Sequence, residues 1–307
     1  MNHFLGVTAT LTTAILWGSN HVVARGMREL LSLPAFAFWR WFVALAFLTI
    51  FARSEIFQSR AFLVQNRKQI ILSGIGGVGL FSYFLLGGAY MSPAVEVGLL
   101  NATTPIWVLL ISVFMGVDKE RISTWAGLVL SLAGTVLVIA HGNLRVLAEM
   151  NYSAGNLLTL SAAIVFAWFS IQIRMLSSEC TVLVLTIVTA WVGLIFVLLP
   201  GYLISLLLGQ PILFTGAPET FTVALSALVY VAFIPTMAGN LLFLYGVKSL
   251  GPTYASVFLY LSPVFSALFA ILFLGEILEW YHIAGFAIIV FGLIIVNLSK
   301  SENARKN

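Results

Sequence analysis

The chain has 307 residues and a formal net charge of +4, with 61% of its residues hydrophobic and only 8% charged. A water-facing surface needs about a quarter charged residues, so this composition, with a mean hydropathy of +1.05, excludes a soluble enzyme and marks an integral membrane protein. The basic pI of 9.3 does not point to nucleic acid, because Lys and Arg sit beside hydrophobic runs, and the one cysteine, Cys180, leaves no intrachain disulfide framework or multi-cysteine metal site.

The apolar runs are long and do not alternate, so the spans are expected to be helices rather than barrel strands. A span needs about 20 apolar residues. Ten fit, at roughly 5–24, 34–52, 69–90, 94–115, 122–141, 154–173, 182–207, 221–247, 252–274 and 281–298. The N-terminus has no basic n-region and no small-residue cleavage pattern, so the first run is expected to stay in the mature protein.

Polar residues in hydrocarbon are costly and usually face the bundle interior or a water cavity. In span 1 these are Trp17 near the midplane, Asn20 one turn on, and His21 and Arg25 toward the outer end. Arg40, early in span 2, suits snorkelling to the outer face. Span 3 brings Ser82 and Tyr83 to middle depth. Span 4 carries Glu96, Asn101, Pro105 and Trp107. Glu96 is the only acid lying clearly inside a predicted span, and it sits in the first turns of that helix, where a carboxylate gains from the helix dipole. Two readings follow for it: an ordering or outer-gate role with Arg25 or His21, or proton coupling. Trp168 and Gln172 share a face of span 6. Spans 8 and 9 add Tyr230, Thr236, Asn240, Tyr254, Tyr260, Ser262 and Pro263.

At about 1.5 Å per residue, Pro105 and Pro263 both reach the midplane, approached from opposite faces. Each proline lacks an N–H and deprives the carbonyl four residues earlier, that of Asn101 or Leu259, of its partner. Such a break either lines a cavity or is healed by Ser or Thr.

Counting charge orients the chain. With the N-terminus inside, eleven basic residues (Arg53, Arg60, Arg67, Lys68, Lys119, Arg121, Arg174, Lys248, Lys300, Arg305, Lys306) are cytoplasmic and three (Arg25, Arg28, Arg145) are outside. Both termini are predicted cytoplasmic.

The segment NATTPIWVLLISVFMGVDKERISTWAGLVLSLAGTVLVI (101–139) resembles YLSPVFSALFAILFLGEILEWYHIAGFAIIVFGLIIV (260–296). Pro105 matches Pro263 and, with small gaps allowed, Gly127 and Gly134 match Gly285 and Gly292. AILWGSNHVVAR (14–25) likewise matches AIVFAWFSIQIR (163–174). The expected fold is therefore all-α: ten transmembrane helices as two five-helix repeats, 1–142 and 152–300, in one integrated domain with a tail at 301–307. Five is odd, so the second half enters inverted, an architecture of transporters with a midplane site between halves.

These segments, with the ILWGSNHV first span and the SPVFSALFAILFLGEILEWYHIAG stretch, resemble the EamA-type drug/metabolite transporter superfamily over essentially the whole chain. AVEVGLLNATTP (94–105) resembles the Glu-Val-Gly…Asn…Pro stretch of YddG-type aromatic amino-acid exporters. Ala102, Thr103 and Thr104 stand where those exporters carry a Tyr-Leu-Trp run. The resemblance implies amino-acid efflux through a cavity lined mainly by spans 1, 3, 4, 6, 8 and 9.

The expected activity is secondary export of amino acids, aromatic and other neutral ones, across the inner (plasma) membrane by alternating access. Trp17, Asn20, Tyr83, Asn101, Trp107, Trp168 and Tyr260 would bind substrate. Pro105 and Pro263 would break the helices, and Glu96, His21 and Arg25 would gate or couple protons. The alternative is proton-coupled export of lipophilic cations or other small metabolites. No phosphate loop or H-E-x-x-H pattern occurs, so no ATP drive, enzyme activity, metal or cofactor is expected. The expected partners are the substrate and the bilayer, and a monomer would suffice.

Overall fold

Hydrocarbon offers the backbone no hydrogen-bond partners, so a chain this apolar must satisfy its amides within helices. The computed structural model describes residues 3–27, 30–92, 94–117, 122–143, 145–150, 153–211, 214, 220–274 and 277–304, and apart from turns these are helical. The long helices are α1 (His3–Met27), α2 (Leu33–Gln58), α3 (Arg67–Met91), α4 in two pieces (Ala94–Asn101 and Thr104–Phe114), α5 (Ile122–Ile139), α6 (Ala154–Leu176), α7 (Val182–Leu207), α8 (Phe221–Leu250), α9 (Pro252–Phe273) and α10 (Trp280–Ala304).

Eight of them, α2 to α9, are long and apolar enough to cross a membrane, and α10 holds a shorter apolar stretch, Trp280–Val296. Helix α1 has the length, 25 residues, but a more polar sequence. Its hydroxyls are absorbed locally: Thr8 donates to the Phe4 carbonyl, Thr10 to Gly6, Thr13 to Ala9 and Ser19 to Leu16. Large apolar side chains such as Phe51, Phe114, Ile122, Leu207 and Phe273 point outward. In water so much exposed apolar surface would drive association; against lipid tails it carries no penalty.

Lipid is as apolar as leucine, so helices here are held by close packing at small residues. Helices α5 and α10 pair through four glycines. A Cβ on Gly127 would meet the Gly292 carbonyl at 2.7 Å, and one on Gly134 would meet the Gly285 carbonyl at 2.7 Å. Rising numbers on one helix face falling numbers on the other, so the pair is antiparallel. A second close approach joins α1 to α8, where Gly246 leaves room for Thr10. A third joins α6 to α3, where Gly88 leaves room for Thr159.

Three helices contain widened π-type turns: Ile75–Leu80 in α3, Leu194–Leu198 in α7 and Ala232–Ala238 in α8. Pro235 lies inside the last, where its missing N–H already removes one α-helical bond.

Candidate functional site

Pro105 interrupts α4 as its chemistry requires. Ala102 and Thr103 form a turn between the two helical pieces, and the Thr103 amide bonds back to the Leu100 carbonyl at 3.1 Å. The Asn101 carbonyl is not left open: Thr104 Oγ1 donates to it at 2.6 Å. Thr103 Oγ1 donates to the Leu100 carbonyl at 2.6 Å and accepts from Trp107 Nε1 at 3.1 Å. The Asn101 side chain is half-buried and makes no hydrogen bond among the described residues.

The break in α9 is different. A 3-10 turn, Phe258–Leu261, precedes Ser262 and Pro263. Tyr260 is 1% exposed, and among the described residues neither its hydroxyl nor that of Ser262 has a hydrogen-bond partner. Thr135 Oγ1 on α5 approaches the Tyr260 carbonyl at 3.4 Å.

An aromatic cluster gathers rings from four helices. The ring of Trp17 (α1) lies 5.8 Å from Phe166 (α6), edge-on, and 5.4 Å from Phe243 (α8); Phe166 lies 4.8 Å from Phe81 (α3) and 5.3 Å from Phe243. An indole packed among apolar rings needs an acceptor, and Trp17 Nε1 finds the Pro235 carbonyl at 3.0 Å, inside the widened turn of α8. Gly239 makes that approach feasible, since a Cβ there would sit 2.6 Å from Trp17 Nε1.

The remaining predicted substrate residues do not all join this cluster. Trp168 is half-buried and packs on Gly76 of α3. Gln172, one turn on, accepts from Gln69 Nε2 at 2.6 Å. Tyr83 reaches to α7, where its hydroxyl donates to the Leu198 carbonyl at 3.1 Å beside Gly201. Trp107 stays with its own helix break, and Tyr260 belongs to a separate core around Leu109, Leu128 and Ile289. Asn20 is half-buried, with a buried side-chain oxygen that has no donor among the described residues. Sequence reasoning did not single out Phe81, Phe166 or Phe243. The one signal available was that Phe166 stands opposite Trp17 in the repeat alignment.

Glu96 and Asn156 are 7% and 5% exposed, and Asn156 Nδ2 donates to Glu96 Oε2 at 2.8 Å. Beside them Ser92 and Ser153 share a hydrogen bond of 2.7 Å. These bonds tie the ends of α3 and α4 to the start of α6. The side chains of His21 and Arg25, the expected partners of Glu96, lie outside the described residues.

A groove of about 180 Å³ opens where α1 begins and α8 ends, lined by Val7, Leu250, Tyr254, Val257 and Leu293 among others. It lies at the opposite end of α1 from Asn20.

The profile of the EamA-like transporter family matches residues 4–140 and again 153–298. The uncharacterized transporter YyaM of Bacillus subtilis is 22% identical over 96% of this chain and 94% of its own length. A probable terminal-alkyne amino-acid exporter of Streptantibioticus cattleyicolor is 28% identical over 76% of this chain and 74% of its own. A solved crystal structure superposes with a TM-score of 0.76 at 20% identity, covering 97% of this chain and 98% of that one, which supports the fold. With both halves matched and the apolar helices in place, the chain belongs to the EamA-like transporter family and is a multi-span membrane transporter.

Proposed function

We propose that this transporter exports amino acids, aromatic and other neutral ones, across the inner membrane, in the manner of YddG-type exporters. It works by alternating access between two inverted five-helix halves, 1–142 and 152–300, with both termini cytoplasmic. One observation carries the mechanism: contacts that the first half makes on the second recur, between equivalent residues, as contacts that the second makes on the first. Gly6 and Thr10 correspond to Gly155 and Thr159, each 149 positions later, and Gly88 corresponds to Gly246, 158 positions later. Thr10 bonds the Gly6 carbonyl and packs on Gly246; Thr159 bonds the Gly155 carbonyl and packs on Gly88. The antiparallel glycine pairs of α5 and α10 map onto themselves under the same exchange. Antiparallel equivalents are related by an axis across the helices, which in a bilayer lies in the membrane plane.

Trp17 and Phe166 are matched residues in contact, so such an axis would pass beside them, and the aromatic cluster is where substrate would lodge when the halves rock. Flat side chains suit edge-on and stacked aromatic neighbours. Asn20, Asn101, Tyr83, Trp107 and Trp168 would supply further aromatic or polar surface, the breaks at Pro105 and Pro263 would let α4 and α9 bend, and the buried Tyr260 would come within reach of substrate only as α9 bends. The Glu96–Asn156 and Ser92–Ser153 bonds form an outer latch whose release would open the path. The Streptantibioticus relative, whose name describes an amino-acid exporter, supports the substrate class.

A second reading rests on the buried Glu96 carboxylate: proton-coupled export of lipophilic cations. Reconstitution into proteoliposomes decides between them. Saturable transport of labelled Phe, Trp, Thr or Met is expected, with and without an imposed pH gradient. Transport of lipophilic cations with no amino-acid flux under any gradient would replace the first reading by the second.

A further inference from the structure

Arg40 is a basic residue embedded within an apolar helix rather than at its end. It lies seven residues into α2, about 10 Å along the axis at about 1.5 Å per residue. The expected snorkelling path would carry its side chain to the outer face. Instead it reaches sideways to α3. Arg40 Nη2 donates to Ser82 Oγ at 3.3 Å, and the guanidinium sits 5.7 Å from the centre of the Phe36 ring. Ser82 is fully buried and lies nine residues before the end of α3, so the cation is held below the rim from both sides.

No carboxylate neutralises it among the described residues. Its Nε is buried without an acceptor among the described residues, and the buried acid of α4, Glu96, is engaged by Asn156 on another helix pair. A serine hydroxyl and an aromatic face orient a guanidinium without cancelling its charge. Charged groups at such depth are expensive and mark solute paths, and the planar fork of arginine matches a carboxylate in two parallel hydrogen bonds. Arg40 as a whole is half-buried rather than sealed.

We propose that Arg40, oriented by Ser82 and Phe36, is an anion subsite of the transport path and takes the carboxylate of the substrate. The proposal deepens the amino-acid reading and rests on it for the identity of the ligand. The subsite itself is a claim about carboxylates, and can be tested without transport.

The test is the melting temperature of the purified protein in detergent, titrated with 3-phenylpropanoate, phenylalanine and phenethylamine, since a ligand that binds the folded state raises it. Both carboxylates are expected to stabilise the protein and the amine is not. In Arg40→Gln the carboxylate response weakens at least tenfold. Arg40→Lys and Ser82→Ala, which keep the charge, weaken it a few fold and decide the matter if Arg40→Gln does not fold. An unchanged carboxylate response in Arg40→Gln, stabilisation by the amine alone, or no carboxylate response in the parent protein would each overturn the proposal. Failure of the amino-acid reading looks different: phenylpropanoate would still bind through Arg40, while phenylalanine would be neither bound nor moved.

Discussion

A carboxylate and an amide that share a buried hydrogen bond can be separated by mutation in two distinct ways. Glu96→Gln leaves an oxygen that still accepts from Asn156, whereas Glu96→Ala removes the acceptor. Losing a buried partner costs about 1–3 kcal/mol, so Glu96→Ala is expected to lower the melting temperature clearly and Glu96→Gln only slightly. If the pair is a latch, Glu96→Gln keeps its transport profile from pH 5 to 8. If Glu96 exchanges protons, coupled transport disappears in the same variant. Cys180, in the turn between α6 and α7, gives a second residue-level readout. Burial pushes its thiol above the ordinary value, outweighing hydrogen bonds from Ser59 and Thr181 that act the other way. A raised value means less thiolate at a given pH, so alkylation is expected to be slow at pH 7. Its rate should keep climbing beyond pH about 8.5, where an ordinary thiol levels off. Single residues were the least legible feature of the sequence. Depth can be counted from helix ends, but rotation about the axis cannot, so the bond from Tyr83 to the Leu198 carbonyl on α7 is not legible in the sequence. Glu96 finds Asn156 sixty residues away, a pairing that needs the packed bundle.

At the scale of elements, the breaks and close approaches make sharper demands. Restoring the missing amide with Pro105→Ala is expected to straighten α4, raise thermal stability and lower the transport rate, measured as melting temperature beside initial flux. Thr104→Val removes the hydroxyl that heals the Asn101 carbonyl and is expected to cost about 1 kcal/mol. Gly246→Ala and Gly88→Ala press on equivalent threonines, and each is expected to destabilise by about 1–3 kcal/mol through overpacking. Nearly equal losses in the two would fit the twofold relation, while a large loss in only one would count against it. These features were legible because proline and glycine do what no other residue can. The positions of Pro105, Pro263 and the four α5/α10 glycines could be read before any contact was known. The aromatic cluster was not legible, since Phe81, Phe166 and Phe243 look like any of the 24 phenylalanines until four helices converge.

For the whole molecule, composition alone settled that the chain lives in a bilayer, and the charge asymmetry proposes how it is threaded. Single cysteines placed in a Cys180→Ser background test that threading with a membrane-impermeant maleimide. A cysteine at His141 is expected to be labelled from outside in intact cells, and one at Ser59 only after the membrane is opened. The reverse pattern would invert the topology and the assignment of Glu96 and Asn156 to the outer side.

The glycine seam between α5 and α10 carries one more consequence. Each helix offers its partner the same surface that the partner offers back, so the seam is self-complementary. Residues 1–142 and 152–307, produced as two separate chains, should find each other in the membrane and restore transport. The first fragment alone should tend to pair with an upside-down copy of itself. A transporter held this way would behave as a dimer whose two subunits share one peptide thread, and cutting that thread is expected to cost it little more than speed of assembly.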